Sequence, residues 1–239
     1  TFTGAPSSNS GNNIFVYYLA SQVGTVGHPA DQNLSAGTGT FTGDVTIGDA
    51  SAADKKILFD GNAQDFHIGL DDSSDSLTIG LGSTLGTTSH MIFDANGHIT
   101  KPLQPAFSAK ATNDQTNIAV GSNVTLVLDS ERFDQNGDFS SNTFTAPVTG
   151  KYQLQTVVYF QNLDSASTVY NVKITTSNTD YQAPFDPDFG QDNGYWGWGF
   201  SILADMDAND TAYVFVRQTG GTQQTDLANS SYFSGYLVA

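Results

Sequence analysis

Apolar residues in this chain recur at every second position over short runs, and Gly, Asn, Asp and Ser cut the runs apart. That period puts alternate side chains on opposite faces of a strand, and no stretch shows the 3.6-residue period of a helix. Ile14–Leu19 reads as one strand after the turn-rich residues 5–13, and Thr1–Thr3 as the tail of another. Residues 37–104 predict seven short strands: Thr40–Thr42, Asp44–Gly48, Lys56–Phe59, Phe66–Leu70, Ser76–Gly80, His90–Phe93 and Gly97–Thr100. None carries more than three apolar residues, too few for an independent core, so this stretch is expected to intertwine with identical chains. Pro102 and Pro105 mark a linker. Beyond it eight longer strands follow at sandwich spacing: Ala106–Ala109, Asn123–Leu128, Asn142–Ala146, Lys151–Gln161, Tyr170–Thr176, Trp196–Met206, Thr211–Gln218 and Tyr232–Ala239. The expected fold class is all-β. Residues 1–36 form the end of one β unit, 37–104 a short-stranded trimeric β-shaft, and 105–239 a jelly-roll head.

Composition narrows this further. Of the 239 residues only 13% are charged, about half the usual share. Asp and Glu total 24, and Glu131 is the only Glu. Asp favours turns over helix interiors, which agrees with 24 Gly. A net charge of −16 repels phosphate backbones and anionic lipid, so neither nucleic-acid binding nor membrane binding is expected. With no Cys there is no disulfide, no thiolate metal site and no cysteine nucleophile. Without the Cys pair of immunoglobulin domains, the sandwich is better read as a jelly roll. No apolar run approaches the ~20 residues of a membrane span. The start on Thr1 rather than Met points to a longer precursor or a trimmed chain.

Two resemblances add to these readings. The run Phe144-Thr-Ala-Pro147-Val-Thr-Gly150-Lys-Tyr152-Gln-Leu154, the opening Ala106–Ala109, Asp134 with Phe139, and the closing Ser231–Leu237 resemble the complement C1q-like domain of the tumour-necrosis-factor superfamily. Pro147 and Gly150 would make a corner there, and Tyr152 and Leu154 would point inward. Leu154 and Thr156 stand where that family carries aromatics. The segments Thr1–Pro6, Asn13–Leu19, Thr25–Asp31, Phe41–Gly48 and Ile92–Pro102 are similar, in that order, to bacteriophage tail-fibre proteins, where a Gln104–Phe107-like junction leads into a C1q-like head. The resemblances imply a homotrimer on the virion. Its N-terminal side would join other tail or capsid proteins, and its head would bind a host surface receptor, of which a glycan is one class. The alternative is a capsid-decorating or tail-assembly fibre whose head only trimerises and caps the shaft. A secreted C1q-like lectin is disfavoured by the missing Gly-X-Y segment.

The densest candidate site is Tyr181–Phe200, with Tyr181, Phe185, Phe189, Tyr195, Trp196 and Trp198 among Asp186, Asp188 and Asp192. Period-2 spacing puts Trp196 and Trp198 on one face. Outward, they would form an aromatic platform beside hydrogen-bonding acids, large aromatics being the usual anchors of interfaces; inward, they would belong to the core or a trimer axis. Asp134, Asn136 and Asp138 resemble a fragment of a calcium loop, although no acidic residue follows at the closing position. Asp205, Asp207 and Asp210 offer a second oxygen cluster, and ordinary turn chemistry explains both. His28, His67, His90 and His98 are too scattered for a metal pair and are expected to pack in the shaft. No G-x-S-x-G, H-E-x-x-H, P-loop or dinucleotide fingerprint occurs, so an enzyme is not expected.

Overall fold

The computed structural model describes residues 38–239, so Thr1–Thr3, Ile14–Leu19 and His28 lie outside the described residues. The chain divides into two units, Thr1–Thr46 and Ile47–Ala239. In the first, residues 38–46 form no strand. The expectations at Thr40–Thr42 and Asp44–Gly48 are thus corrected to irregular chain. Runs with one or two apolar residues gain too little from pairing to offset the cost of ordering them.

In the second unit, five strands follow one another as an antiparallel meander: β1 Lys55–Phe59, β2 Phe66–Asp71, β3 Ser76–Leu81, β4 Ser89–Phe93 and β5 Ile99–Thr100. Their turns are made by Asp and Gly. Asp94, for example, accepts the amides of Asn96 and His98 ahead of β5, with Gly97 at positive φ. Every strand finds its ladder partner within the chain, so pairing does not require the expected threading between chains.

The register sorts the side chains by face. Ile57, Ile68, Ile79 and Met91 stand in one row, and Phe59, Phe66 and Leu81 in the next. This apolar face is the open one. The opposite face carries His67, Asp71, Ser76 and Thr78, and these polar residues are the buried ones. Loop 82–88 folds over them, with Leu85 buried, the Gly82 carbonyl 2.8 Å from His67 Nδ1, and Gly86 against the Asp71 carboxylate. A Cβ on Gly80 would stand 2.8 Å from His67 Nε2, so glycine there makes room for the ring.

Residues 106–239 form a two-sheet sandwich. Its strands are β6 Ala106–Lys110, β7 Asn123–Thr125, β8 Ser130–Gln135, β9 Phe139–Ser140, β10 Thr143–Thr145, β11 Gly150–Leu163, β12 Val169–Thr176, β13 Asp180–Phe185, β14 Asn193–Met206, β15 Thr211–Thr219, β16 Asp226–Leu227 and β17 Tyr232–Leu237. One sheet runs β14-β11-β17-β6-β8 with β16 on β11; the other runs β13-β12-β15-β10-β9 with β7 on β15. Eight of these strands (β6, β10–β15 and β17) define the topology. The first sheet takes the first, eighth, third and sixth of them, and the second takes the second, seventh, fourth and fifth. That order is a jelly roll. The fold is all-β and antiparallel among the described residues, as expected.

One member of the expected eight is different. Asn123–Leu128 pairs over Asn123–Thr125, at the side of β15, with one further bond from Leu126 N–H to the Val214 carbonyl, and the strand that completes the jelly roll is Asp180–Phe185. The core fills the space between the sheets, with Tyr152, Leu154, Val158 and Phe160 of β11 facing Tyr170, Val172 and Ile174 of β12. Phe107 stacks on Phe139 and Phe144 at 5.1 and 4.7 Å. Thr156, where an aromatic was expected, donates its buried hydroxyl to the Tyr232 carbonyl at 2.8 Å.

Candidate functional site

The sandwich has two unlike ends. Strand β6 leaves the linker at Ala106, so the linker end also holds the C-terminus, where Leu237 N–H donates to the Pro105 carbonyl and Lys151 N–H to that of Ala239. The loop after β14 lies there too, since Ala146 N–H donates to the Asp210 carbonyl. At the far end, the chain segments 111–122, 163–168, 186–192 and 219–231 meet. Ile118 N–H reaches the Thr225 carbonyl, Asn117 N–H the Asp226 carboxylate, and Thr168 N–H the Thr219 carbonyl.

Buried polar groups pin these loops. The Asp164 carboxylate accepts the amides of Ala166 and Thr222. Tyr170 Oη lies 2.6 Å from Thr225 Oγ1, and Gln218 Nε2 donates to Ser167 Oγ and the Thr222 carbonyl. Asp192 accepts Ser165 N–H and Oγ–H on one oxygen and Gln224 Nε2 on the other. Those bonds, the Ser165 amide first, hold its carboxyl below the usual aspartate range. Gly220 and Gly221 both have positive φ, and a Cβ on Gly221 would collide with the Asp164 carboxylate. The far end is therefore a preorganised surface. Sequence reasoning missed Asp164, Gln218 and Thr225, because their role depends on loops from separate parts of the chain meeting.

The candidate aromatic platform divides across β14. Trp196, Trp198 and Phe200 share a face, as the period requires, and that face packs against the core. Trp198 Nε1 donates to the Ala183 carbonyl at 2.9 Å. Phe185 is 8% exposed, stacks on Tyr170 and meets both indoles, so its place among surface anchors is corrected to the core. Tyr181 is half-buried against the same cluster. Pro184 and Phe185 belong to β13, leaving 186–192 as the loop. Phe189 lies at 4.7 Å on Trp196 with its outer side exposed, and Asp186, Asp188 and Asp192 surround it on the exposed loop. Tyr195 points to the other side of β14 and is 81% exposed. The surface part of the candidate set is thus Asp186, Asp188, Phe189, Asp192 and Tyr195.

The outer faces of the two sheets differ as well. On the second sheet, Lys173 pairs with Asp180 at 3.0 Å and lies over the Phe215 ring, while Asn171 donates to Gln182. On the first sheet, Tyr159, Leu203, Tyr236 and Phe133 stand exposed among Gln153, Gln155, Gly197, Ser201 and Ser234. A concavity of about 280 Å³ opens there between Phe133, Gln153, Gln155 and Tyr236, floored by Phe107 and Gly235.

The two oxygen clusters act as turn caps. Asp134 accepts the amides of Asp138 and Phe139, and Asn136 donates its side-chain amide to the Leu103 carbonyl. Asp210 accepts Asp207 N–H and Asn178 Nδ2, and Asp205 pairs with Lys151. Among the described residues no three His, Asp or Glu side chains gather as a metal-holding group. His90 meets the Phe66 ring edge-on, and His98 pairs with Asp94 at 2.8 Å.

No protein-family model matches the chain, and no curated protein matches it. Among solved structures, the globular domain of zebrafish complement 1qA protein is similar at 17% identity over 57% of this chain and 98% of that one, with a TM-score of 0.42. Murine APRIL at pH 8.0 is similar at 9% identity over 56% of this chain and 99% of that one, with a TM-score of 0.43. The jelly-roll assignment rests on the strand order itself.

Proposed function

We propose that this chain is a non-enzymatic attachment protein, a homotrimeric bacteriophage tail fibre whose head engages a host-surface receptor with its far-end loops. The observation that carries this reading is the polarity of the head. The chain enters and leaves at one end, while four loops form the other. Three are held by the buried Asp164, Gln218, Thr225 and Asp226, and the fourth, 186–192, by the exposed Asp192 on Ser165 and Gln224. A surface held rigid before contact loses little entropy on binding. Self-association is supported by the outer face of the first sheet, whose middle rows (Gln153, Gln155, Tyr159, Gly197, Ser201 and Ser234) carry no charge. The Lys151–Asp205 pair, Lys110 and Arg132 lie at its ends, so copies of a chain with net charge −16 can approach there with little repulsion. Three heads on one shaft then turn weak contacts into strong attachment through effective concentration. The virion location and the tail rest on the ordered resemblance of residues 1–104 to phage fibres. Within the loops, the Phe189 ring offers a flat apolar contact, and Asp186 and Asp188 offer hydrogen-bond acceptors suited to sugar hydroxyls.

The inward turn of Phe185, Trp196 and Trp198 favours a second reading, a decorating or assembly fibre whose head only trimerises and caps the shaft. Binding of the full-length chain to intact bacteria separates the two. Saturable binding should be lost in a Phe189→Ala/Asp188→Ala variant with unchanged native mass and melting temperature. A folded trimer that binds no bacterial surface overturns receptor attachment and leaves the structural role.

A further inference from the structure

The five-stranded sheet β1–β5 has its polarity inverted relative to an ordinary surface sheet. Its polar face is closed by the chain's own loop 82–88, while its apolar face is met among the described residues only at one margin, where Ile47 borders a concavity with Ile57, Ile68, Leu70 and Leu77. Ile57, Phe59, Phe66, Leu70, Leu77 and Ile99 stand 43–58% exposed on it, with Ile68 and Ile79 half-buried between them. From ordinary side-chain areas these six present roughly 600 Å², at the top of what a monomer leaves in one patch and approaching the ~800 Å² per partner of a stable interface. We infer that this face is covered by the same face of other copies of the chain, as flat sheets packed side to side rather than as strands exchanged between chains.

Three observations point to a second copy. The ladders β1 to β5 are already complete within one chain, so a neighbour has side chains to cover and no missing strand to supply. The face carries one ion pair, Lys55 with Asp49 at 2.9 Å, although the chain has a net charge of −16. Other acids of this region sit elsewhere: Asp60 and Asp65 between β1 and β2, Asp72 and Asp75 between β2 and β3, and Asp71 under loop 82–88. Copies can therefore approach across this side with little repulsion.

The third observation is that the linker is fastened to the head. Gln135 Nε2 donates to the carbonyls of Lys101 and Gln104, Asn136 Nδ2 to that of Leu103, and Gln104 Nε2 to that of Leu237. If heads associate as proposed above, their sheets are delivered together at high effective concentration. The inference rests on that reading for its stoichiometry, while the choice of face rests on the sheet alone.

The absence of Cys makes the test direct. Single-cysteine variants of the full-length chain are made at Leu77 on the open face and at Leu58 on the other face of the same sheet. Ile99→Cys serves as a second open-face probe should Leu77→Cys fold poorly. In particles whose native mass is a multiple of one chain, Leu77→Cys should resist maleimide labelling until the particle is dissociated, and mild oxidation with diamide should join it to a neighbouring chain as a disulfide. Leu58→Cys should label freely and stay unlinked. A multimer in which Leu77→Cys labels as fast as Leu58→Cys overturns the inference and leaves the head trimer standing. A native mass of one chain overturns both. Protection of Leu77→Cys that is lost when residues 1–37 are deleted from a chain that stays a multimer assigns the cover to the chain's own N-terminal residues and also overturns it.

Discussion

The sandwich and the five-stranded sheet are written in the same alternation yet satisfy it in opposite ways. In β11, Tyr152, Leu154, Val158 and Phe160 alternate with polar neighbours, and a second sheet from the same chain covers them. In β2, Phe66, Ile68 and Leu70 alternate with His67, Gly69 and Asp71, and the chain buries the polar set instead. Alternation decides which side of a sheet is apolar. Whether that side becomes a core or an interface depends on whether the chain supplies a second layer. The head is self-sufficient by this measure. The small sheet is half of a structure.

The widest separation between the two regions should come from truncating apolar side chains. Phe107 packs on three other phenylalanines inside the sandwich, and Phe107→Ala should cost about 3–5 kcal/mol in denaturant unfolding. Leu77→Ala on the open face should cost less than about 1 kcal/mol in a dilute chain without partners, and more as assembly proceeds. Equal losses at all concentrations would show that the open face is covered within the chain.

Buried polar groups give the next contrast. Asp164→Ala strips the acceptor from the amides of Ala166 and Thr222 and should cost about 2–4 kcal/mol, with faster hydrogen exchange in 163–168 and 219–226. Asp71→Ala in the small sheet removes a carboxylate that accepts the exposed Ser73 amide and hydroxyl, and should cost about 1 kcal/mol or less. A third comparison uses glycine. A Cβ on Gly235 would stand 2.5 Å from Leu154 Cδ2 and 2.9 Å from the Phe107 ring, so Gly235→Ala should cost about 1–3 kcal/mol by overpacking. At Gly197 the nearest atoms are the exposed Tyr159 ring at 3.2 Å, which can swing outward, so Gly197→Ala should be close to neutral in thermal melts.

Most of the strands were legible because period 2 survives in short runs, and most of the jelly roll followed from them. Strand β13 was not, because Pro184 near its end and Asp180 at its start mimic a loop; Pro is tolerated there because β13 is an edge strand. Conversely, Val124, Leu126 and Leu128 alternate and point inward, yet the backbone bonds to β15 stop at Leu126. Their pattern reported burial, and burial does not guarantee a ladder. The shared face of Trp196 and Trp198 was legible, but its direction was not, since Gly197 between them and Gly199 after them give no preference for either side. Phe185 misled for a related reason: a large aromatic beside Asp-Pro-Asp reads as an exposed loop anchor, while its neighbours in space, Tyr170 and Trp198, are distant in sequence. The far-end cluster of Asp164, Gln218 and Thr225 was invisible, because no one segment holds it.

The smallest expected effect separates acids that settle their surroundings from one that does not. Asp94, Asp129, Asp180 and Asp192 are hydrogen-bonded as carboxylates, led by His98, the Thr112 amide, Lys173 and the Ser165 amide respectively, and their pKa values are lowered. Such groups stabilise the fold above the ordinary aspartate value, and that contribution fades as pH falls through their lower folded values. Asp138 runs the other way. Burial pushes its carboxyl up, the Asp134 carboxylate adds to the push, and its Oδ2 has no partner. An acid with a raised pKa favours the fold most when protonated, so its contribution is full below the ordinary value near 3.8 and is lost as pH rises through the folded value. Asp138→Asn should therefore raise the melting temperature at pH values above the raised folded pKa of Asp138 and give no gain near pH 3. Solvent screening keeps the difference below about 1 kcal/mol. An equal shift in both pH ranges would mean that the change acts through packing beside Tyr152, whose own pKa is raised chiefly by burial, rather than through charge.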